Sequence, residues 1–176
     1  MAKLSSLDDL LVHELQDIYH AEGQILKALP KMVKSATNRD LKAAFEKHRL
    51  QTEGHVRRLE EAFKLLGLPA KGKKCEGMAG LIEEGKTILE QGAEPAVLDA
   101  ALIAAAQKVE HYEIASYGCT CTYAEMLGLD QVHELLGQNL DEEETTDQRL
   151  TALAESVINP EAEEEDFESE EEEASH

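Results

Sequence analysis

Apolar residues recur at helical spacing along most of the chain and predict four long helices. Ser6 begins a capping-box pattern before the first apolar series, and Asn38 is a residue type that caps the second well. Pro95 suits the first turn of a third helix, and Asp130 opens a fourth that stops before Pro160. We therefore predict helices over residues 6–36, 39–66, 95–126 and 130–159.

The predicted helices are similar in length and are joined by two kinds of connection. Each has about 28 to 32 residues, which corresponds to a length on the order of 40 Å. Only a few residues separate the first helix from the second and the third from the fourth, so each pair should form an antiparallel hairpin. The longer connector contains a predicted short helix over 80–91 and can travel the length of the bundle. This single crossover is typical of a ferritin-like antiparallel four-helix bundle.

Composition supports an all-α fold and divides the chain into two parts. Aromatic residues make up only 4%, and strong helix formers such as Ala, Leu, Glu and Lys dominate. After Pro160 the sequence has ten acidic residues and no Lys or Arg. We therefore expect one helical bundle domain over 1–159 and a disordered acidic tail over 160–176.

The charge and the cysteines restrict the partners and the compartment. A net charge of −20 is repelled by phosphate backbones and anionic lipids, so we expect no nucleic-acid and no membrane partner. Cations are the natural small partners of such a surface. Cys75, Cys119 and Cys121 are an odd number in a chain without a charged-then-apolar leader, which favours reduced thiols in the cytoplasm.

Polar residues interrupt the apolar stripes near the middle of each long helix. The second helix continues its stripe through His48, Thr52 and His55, and the fourth through Glu143 and Asp147. Candidates on the other two helices are Glu14, Asp17, Glu110, Glu113 and Tyr117. Burying unpaired carboxylates at one height in a bundle is costly, and a shared cation removes that cost. The stripes therefore predict a metal site inside the bundle.

Carboxylate oxygens with imidazole nitrogens suit iron, manganese or zinc, and inward carboxylates from several helices are how di-metal bundles build their sites. The predicted ligands of this divalent metal pair are Glu14, Asp17, His55, Glu110, Glu113, Glu143 and Asp147. The alternative is that the acidic residues lie on solvated helix faces, with Glu144 more exposed than Glu143. We place His48 and His111 outside the ligand set or at the surface. Tyr19, Tyr112 and Tyr117 are predicted to donate their hydroxyls to carboxylates.

The two halves of the chain also contain similar short sequence motifs. Glu14 and Asp17 are followed by Ile18, as Glu110 and Glu113 are followed by Ile114, and Thr52 with His55 parallels Glu144 with Asp147. A two-fold repeat of helix hairpins is the pattern that a symmetric di-metal centre would leave in a sequence. Short acidic matches arise easily in a Glu-rich chain, so this similarity between the two halves serves only as supporting evidence for the predicted metal site.

Three segments resemble the YciE/YciF family of ferritin-like bacterial proteins. They are His13 to Glu22, Ala100 to Gly118 with its Ala-Gln-Lys-Val-Glu-His-Tyr-Glu stretch, and Asp141 to Asp147. The similarity extends over nearly the whole chain to about residue 158. The resemblance implies a dimeric four-helix bundle related to rubrerythrin and associated with stress responses.

The chain departs from the ligand pattern of ferritins and rubrerythrins, which use a Glu-x-x-His on the second and usually the fourth helix. Thr52 precedes His55 here, and the fourth helix ends its motif on Asp147. The preferred function is a non-haem di-metal carboxylate protein, with iron as the expected metal, that reacts with oxygen or peroxide during stress. The alternative is a structural or partner-binding helical homodimer whose polar belt is a hydrogen-bonded network with a vestigial metal site or none.

Overall fold

The computed structural model describes residues 4–164 and is all-α over that range. Its helices are α1 (Leu7–Ser35), α2 (Arg39–Leu65), α3 (Glu76–Gln91), α4 (Pro95–Met126) and α5 (Asp130–Leu153), followed by a π-helical turn over Ala154–Ile158. The four long helices agree with the predicted ones to within a residue at most ends. α3 starts four residues earlier than its prediction of 80–91, because the Cys75 side chain caps it.

The long helices form an antiparallel bundle in which each packs against two others. α1 packs on α2 and α4, and α5 packs on α4 and α2, so the hairpins lie side by side. α3 belongs to the connector and covers the outer side of α1 and α4. This arrangement is the predicted four-helix bundle with one long crossover that contains a short extra helix.

Apolar side chains fill both ends of the bundle. One end core joins Leu11 and Leu15 of α1 to Phe63 of α2 and Leu136 of α5. The other end core includes Phe45, together with Leu102, Ile103 and Leu150 from the later helices. A third apolar cluster, which includes Ile25 and Met78, fixes α3 to the bundle. The middle of the bundle, between the two end cores, is polar.

The helix ends follow local sequence signals with two differences. Ser6 and Asn38 accept hydrogen bonds from backbone N–H groups of the first turns of α1 and α2, as predicted. Asp130 is the first residue of α5, but no side chain caps that helix. The fourth helix does not stop before Pro160, since helical conformation continues through residue 164.

The π-helical turn explains how the helix passes Pro160. Proline lacks an N–H, and its ring clashes with the carbonyl four residues earlier in a regular α-helix. The wider turn over Ala154–Ile158 lies immediately before it and changes that hydrogen-bond register. The rest of the predicted acidic tail, residues 165–176, lies outside the described residues. Within 4–164, no helix combines the length and the apolar character needed to cross a bilayer.

Candidate metal centre

Six buried carboxylate and imidazole side chains meet midway along the bundle, and we call them the carboxylate centre. They are Glu22 from α1, His48 and His55 from α2, Glu110 and Glu113 from α4, and Glu143 from α5. None is more than 3% exposed. Each lies three or four residues from apolar core positions on its own helix, so the same helical periodicity that builds the end cores turns these side chains inward.

The ligand atoms of the carboxylate centre form two overlapping groups. In the first, one atom each of His48, Glu110, Glu113 and Glu143 lie within 4.8 Å of one another. The second group contains Glu22, His55 and Glu143 under the same criterion. Glu143 is common to both groups, and a carboxylate has two oxygens with which to bridge two cations.

A hydrogen-bonded shell surrounds one side of the centre. The Nε2 atom of His55 lies 2.9 Å from an oxygen of Glu142, whose other oxygen accepts from Arg58 at 2.6 Å. Arg58 also donates to Asn139, and the Asn139 amide donates to the hydroxyl of Tyr117 at 3.0 Å. The ring orientation of His55 is therefore fixed from outside, with Nδ1 directed at the centre.

Nine buried side-chain nitrogen and oxygen atoms lack a hydrogen-bond partner within residues 4–164, and all nine belong to the carboxylate centre. Both oxygens of Glu113 and both of Glu143 are among them. Nδ1 of His55 is 2.9 Å from Glu143, but this contact lacks hydrogen-bond geometry. Unsatisfied buried polar atoms are rare and costly, so their concentration at one point fits cations bound between these oxygens and nitrogens.

Crowding and burial change the proton affinity of the centre. Burial raises the pKa of Glu113 well above its usual value, and the charges of Glu143 and Glu22 raise it further. Burial and Glu143 likewise raise the pKa of Glu110. Burial alone lowers the pKa of His55, but contacts with Glu143 and Glu22 outweigh it and raise that pKa to about 10. Without cations, protonation is therefore favoured at Glu110, Glu113 and His55, whereas burial at Glu143 is outweighed by contacts with His55 and His48, which lower its pKa.

The structure brings together four of the seven predicted ligands, namely His55, Glu110, Glu113 and Glu143. Glu144 is exposed, as expected beside a buried Glu143. Whether the four residues bind metal stays a prediction. The other three predicted ligands, Glu14, Asp17 and Asp147, lie outside the carboxylate centre.

Glu14 and Asp17 are displaced because Leu15 and Ile18 take the inward positions of α1 at their height. Glu14 is half-buried, outside the carboxylate centre. Asp17 accepts a hydrogen bond from Tyr112 at 2.8 Å and lies 3.3 Å from Lys73, so it fastens the connector to the bundle.

Asp147 lies at the rim of the bundle rather than inside the carboxylate centre. It accepts from Gln107 at 3.1 Å and lies 3.2 Å from the exposed His111. Thr146 is the buried residue at this height of α5, and its hydroxyl donates within the helix to the Glu142 carbonyl. The inward side of α5 therefore passes through Glu143 and Thr146 and leaves Asp147 outside.

Glu22 and His48 are the centre residues that the sequence did not assign as ligands. Glu22 interrupts the apolar series between Ile18 and Ile25 at helical spacing, a signal equal to the one used for Glu143. His48 was placed outside the ligand set, but its Nε2 atom lies 3.4 Å from Glu110.

The internal sequence repeat aligns the two hairpins in a different register from the predicted one. One sequence offset relates Glu22 to Glu113, Thr52 to Glu143, and His55 to Thr146. All six residues are buried, whereas the predicted register paired Thr52 with the exposed Glu144. Each hairpin thus contributes an inward glutamate from its first helix. On the second helix of each hairpin, a threonine takes the place of one residue of the Glu-x-x-His pair that ferritins use: Thr52 replaces the glutamate, and Thr146 replaces the histidine.

Of the three tyrosines that were predicted to donate to the carboxylates of the site, only Tyr117 donates to a carboxylate of the centre. Tyr19 donates to Glu60 at 3.0 Å, and Tyr112 donates to Asp17. Tyr117 donates to Glu22 inside the centre. This last bond joins α4 to α1.

Comparison with known proteins identifies the family. The model of the domain of unknown function DUF892 matches residues 6–163. The chain belongs to the DUF892 family. Among its relatives, protein YciF of Escherichia coli is 44% identical over 161 residues, which is 91% of this chain and 97% of the relative.

Solved structures of similar proteins agree with the fold. The E. coli stress protein YciF has a TM-score of 0.85 at 43% identity, over 89% of this chain and 99% of that one. YcfI of Rhodopseudomonas palustris, described as a candidate structural protein, has a TM-score of 0.83 at 45% identity, over 85% of this chain and 95% of that one. A Xanthomonas campestris protein with 20% identity has a TM-score of 0.70, over 92% of this chain and 99% of that one, and supports the fold alone.

Proposed function

We propose that this DUF892 protein is a di-metal carboxylate protein of the stress response that holds two cations, iron above others, and reacts with oxygen or a peroxide. The observation that carries the proposal is the set of nine unpartnered polar atoms at the carboxylate centre. A hydrogen-bonded structural network would pair these atoms with one another, and here they stay unpaired. The similarity to an E. coli stress protein supports the physiological setting.

The two overlapping groups of ligand atoms assign residues to each cation. His48, Glu110 and Glu113 would hold one, Glu22 and His55 would hold the other, and Glu143 would be shared. Bound iron would supply the electrons that reduce oxygen or a peroxide, which carboxylates and imidazoles do not provide.

The surrounding residues position the ligands and connect them to solvent. With its proton on Nε2, His55 donates to Glu142 and presents the Nδ1 lone pair to the centre. Glu142 has 31% of its side chain exposed, so it links a fully buried imidazole to water. Protons displaced from the centre can leave through this contact. The end cores above and below exclude water from the two ends of the centre.

Metal binding is tested by loading metal-free protein anaerobically with ferrous iron, measuring metal content after desalting, and then adding oxygen or hydrogen peroxide. We expect two ions per chain and oxidation of the bound iron faster than that of free iron. Glu144→Gln serves as the control, because this glutamate is adjacent in sequence but exposed. Background metal content in the parent protein would contradict the proposal.

A structural role is the second candidate function. Thr52 stands where a second-helix carboxylate is usual in ferritin-like sites, and its hydroxyl donates to the His48 carbonyl at 2.9 Å. The relative from R. palustris is described as a candidate structural protein. In that case the protein would bind no metal, and its stability would not respond to iron or manganese.

We further propose that the protein acts as a homodimer in the cytoplasm. The three cysteines are free thiols, as a reducing compartment favours. Exposed apolar side chains, including Leu50 at 54% and Met126 at 72%, offer surface for a second copy. Sedimentation of the full chain tests the dimer, and a monomer at micromolar concentration would contradict it.

A further inference from the structure

An apolar cavity leads from the surface of the bundle to the carboxylate centre. Its volume is about 320 Å³, which lies in the lower part of the range for small-molecule sites. Helices α1, α2, α3 and α4 form most of the wall, and His48 and Glu110 lie at the inner end. Both nitrogens of His48 and one oxygen of Glu110 have no hydrogen-bond partner. The cavity therefore ends beside the carboxylate centre.

The wall of the cavity is suited to a hydrocarbon chain. Ile25 and Leu29 of α1 face Val109 of α4 across it, and Leu81 and Leu89 of α3 close the outer side. Small residues, including Ala28, Gly85 and Ala106, leave the space open. Water gains few hydrogen bonds in an apolar cavity, whereas each buried methylene strengthens binding roughly fourfold.

Three lysines surround the outer end of the cavity. Lys27 and Lys31 are one turn apart on α1, and Lys86 faces them from α3. Lys86 is paired with Glu83 at 2.7 Å, but within residues 4–164 neither Lys27 nor Lys31 forms an ion pair. Lys31 acts on Glu83 only through its charge, and the main partner of Glu83 is Lys86. Ammonium groups beside an apolar opening, in a chain of net charge −20, match an anionic head group on an aliphatic tail.

We propose that this cavity binds an aliphatic carboxylate of medium chain length, with its carboxylate at Lys27 and Lys31 and its chain directed toward His48 and Glu110. This inference rests on the proposed function and adds to it the class of substrate that reaches the carboxylate centre. Binding itself requires no metal, so it can be measured separately from metal loading.

The test is calorimetric titration of metal-free, full-length protein with decanoate below its micelle concentration, and with decanol and acetate. Decanoate should bind about tenfold more tightly than decanol, since the lysines recognise only the anion. Acetate should not bind measurably, because it lacks the chain. Lys27→Glu combined with Lys31→Glu should remove the preference for decanoate over decanol, and Lys34→Glu should not, because Lys34 does not line the cavity.

A second variant tests the place of binding. Ala28→Phe puts a ring into the cavity from a half-buried position and should weaken decanoate and decanol at least tenfold. Thermal unfolding shows whether it folds, and if it does not, the lysine variants decide the test. Decanoate binding that neither change affects, or no binding by the parent, would overturn the inference.

Two further outcomes have separate meanings. If the parent binds decanoate but no metal, the proposed function is wrong and the ligand class of the cavity stands. If it binds metal but no decanoate, the carboxylate centre stands and the cavity inference is wrong. A change of oligomeric state by Ala28→Phe, without decanoate binding by the parent, would show that a second copy of the chain covers the cavity.

Discussion

Tyr117 of α4 donates its hydroxyl proton to Glu22 of α1 inside the carboxylate centre. The same hydroxyl accepts from Asn139 of α5, so one oxygen joins three helices. It also holds Glu22 in place beside His55, whose Nδ1 atom is 3.3 Å away. Both the bundle and the centre therefore depend on this tyrosine.

Tyr117→Phe should destabilise the protein by about 1–3 kcal/mol, because it removes the buried hydroxyl that donates to Glu22 and accepts from the Asn139 amide. It should also weaken metal binding by on the order of tenfold, since outer hydrogen bonds orient metal ligands. Urea unfolding and metal titration measure the two effects. Tyr19→Phe is the matched control, because its hydroxyl contacts Glu60 near the surface, and its loss should change neither quantity.

The attachment of the connector predicts opposite effects for two glycines of α3. A Cβ atom at Gly77 would lie 2.8 Å from the ring of Tyr112, whose hydroxyl contacts both Cys75 and Asp17. Gly77→Ala should therefore cost about 1–3 kcal/mol through overpacking. Gly80→Ala meets no atom within 4 Å and should stabilise the helix by about 0.5–1 kcal/mol. Denaturant unfolding of both variants checks the signs, and equal signs would contradict this description of the connector.

The fold could be predicted from sequence because its signals are local. Ser6, Asn38 and Pro95 define three helix starts, and Gly128, at a φ of 69°, follows the end of α4. Short and long connections then restrict the topology to hairpins joined by one crossover. The predicted end of the fourth helix before Pro160 was wrong, because the π-helical turn that precedes this proline depends on packing that cannot be read from the spacing of residues.

Only some residues of the carboxylate centre could be predicted from the sequence. Which side chains meet there depends on how far each helix is shifted along the bundle axis and how it is rotated relative to its neighbours. Glu143 interrupts the apolar stripe of α5 at a position that points inward, so helical spacing alone was enough to predict that it is buried. On α1, Leu15 is buried at the height where Glu14 and Asp17 were predicted to turn inward, and Glu22 was not considered. Which glutamate reaches the level of His55 is a property of the packed bundle.

The protons held by the centre predict how stability depends on pH. The pKa values of Glu22, Glu110 and Glu113 are raised by burial, so the metal-free native state binds more protons than the unfolded state above pH 4.5. Stability is then lost as pH rises through the raised values. His55 acts in the same direction, with stability present below pH 6.5 and lost toward pH 10, because its pKa is raised to about 10. His48 opposes this trend, since burial lowers its pKa.

Metal-free protein should therefore unfold at a lower urea concentration at pH 8 than at pH 5. Stabilisation by added manganese should rise over the same range, because bound cations require deprotonated ligands. A variant with Glu110→Gln and Glu113→Gln should show a flatter dependence without metal. Metal-free stability that increases from pH 5 to pH 8 would contradict the assignment of protons to the centre.

Glu113→Gln separates a metal centre from a structural network. Both oxygens of Glu113 lack partners, and burial and neighbouring carboxylates raise its pKa, which favours its neutral form in the metal-free centre. Replacing a neutral carboxyl by a neutral amide of the same shape should change metal-free stability by less than about 1 kcal/mol. With metal present, the same replacement removes an anionic ligand, and each tenfold loss of affinity lowers stability by about 1.4 kcal/mol.

The most direct measurement is unfolding of the parent, Glu113→Gln and the exposed control Glu144→Gln, each with and without manganese or anaerobic ferrous iron, together with metal content. We expect metal to stabilise the parent and Glu144→Gln equally. Glu113→Gln should match the parent without metal, but with metal it should lose much of this stabilisation and of the bound metal. Equal behaviour of all three proteins in both conditions, with metal content at background, would contradict the di-metal centre.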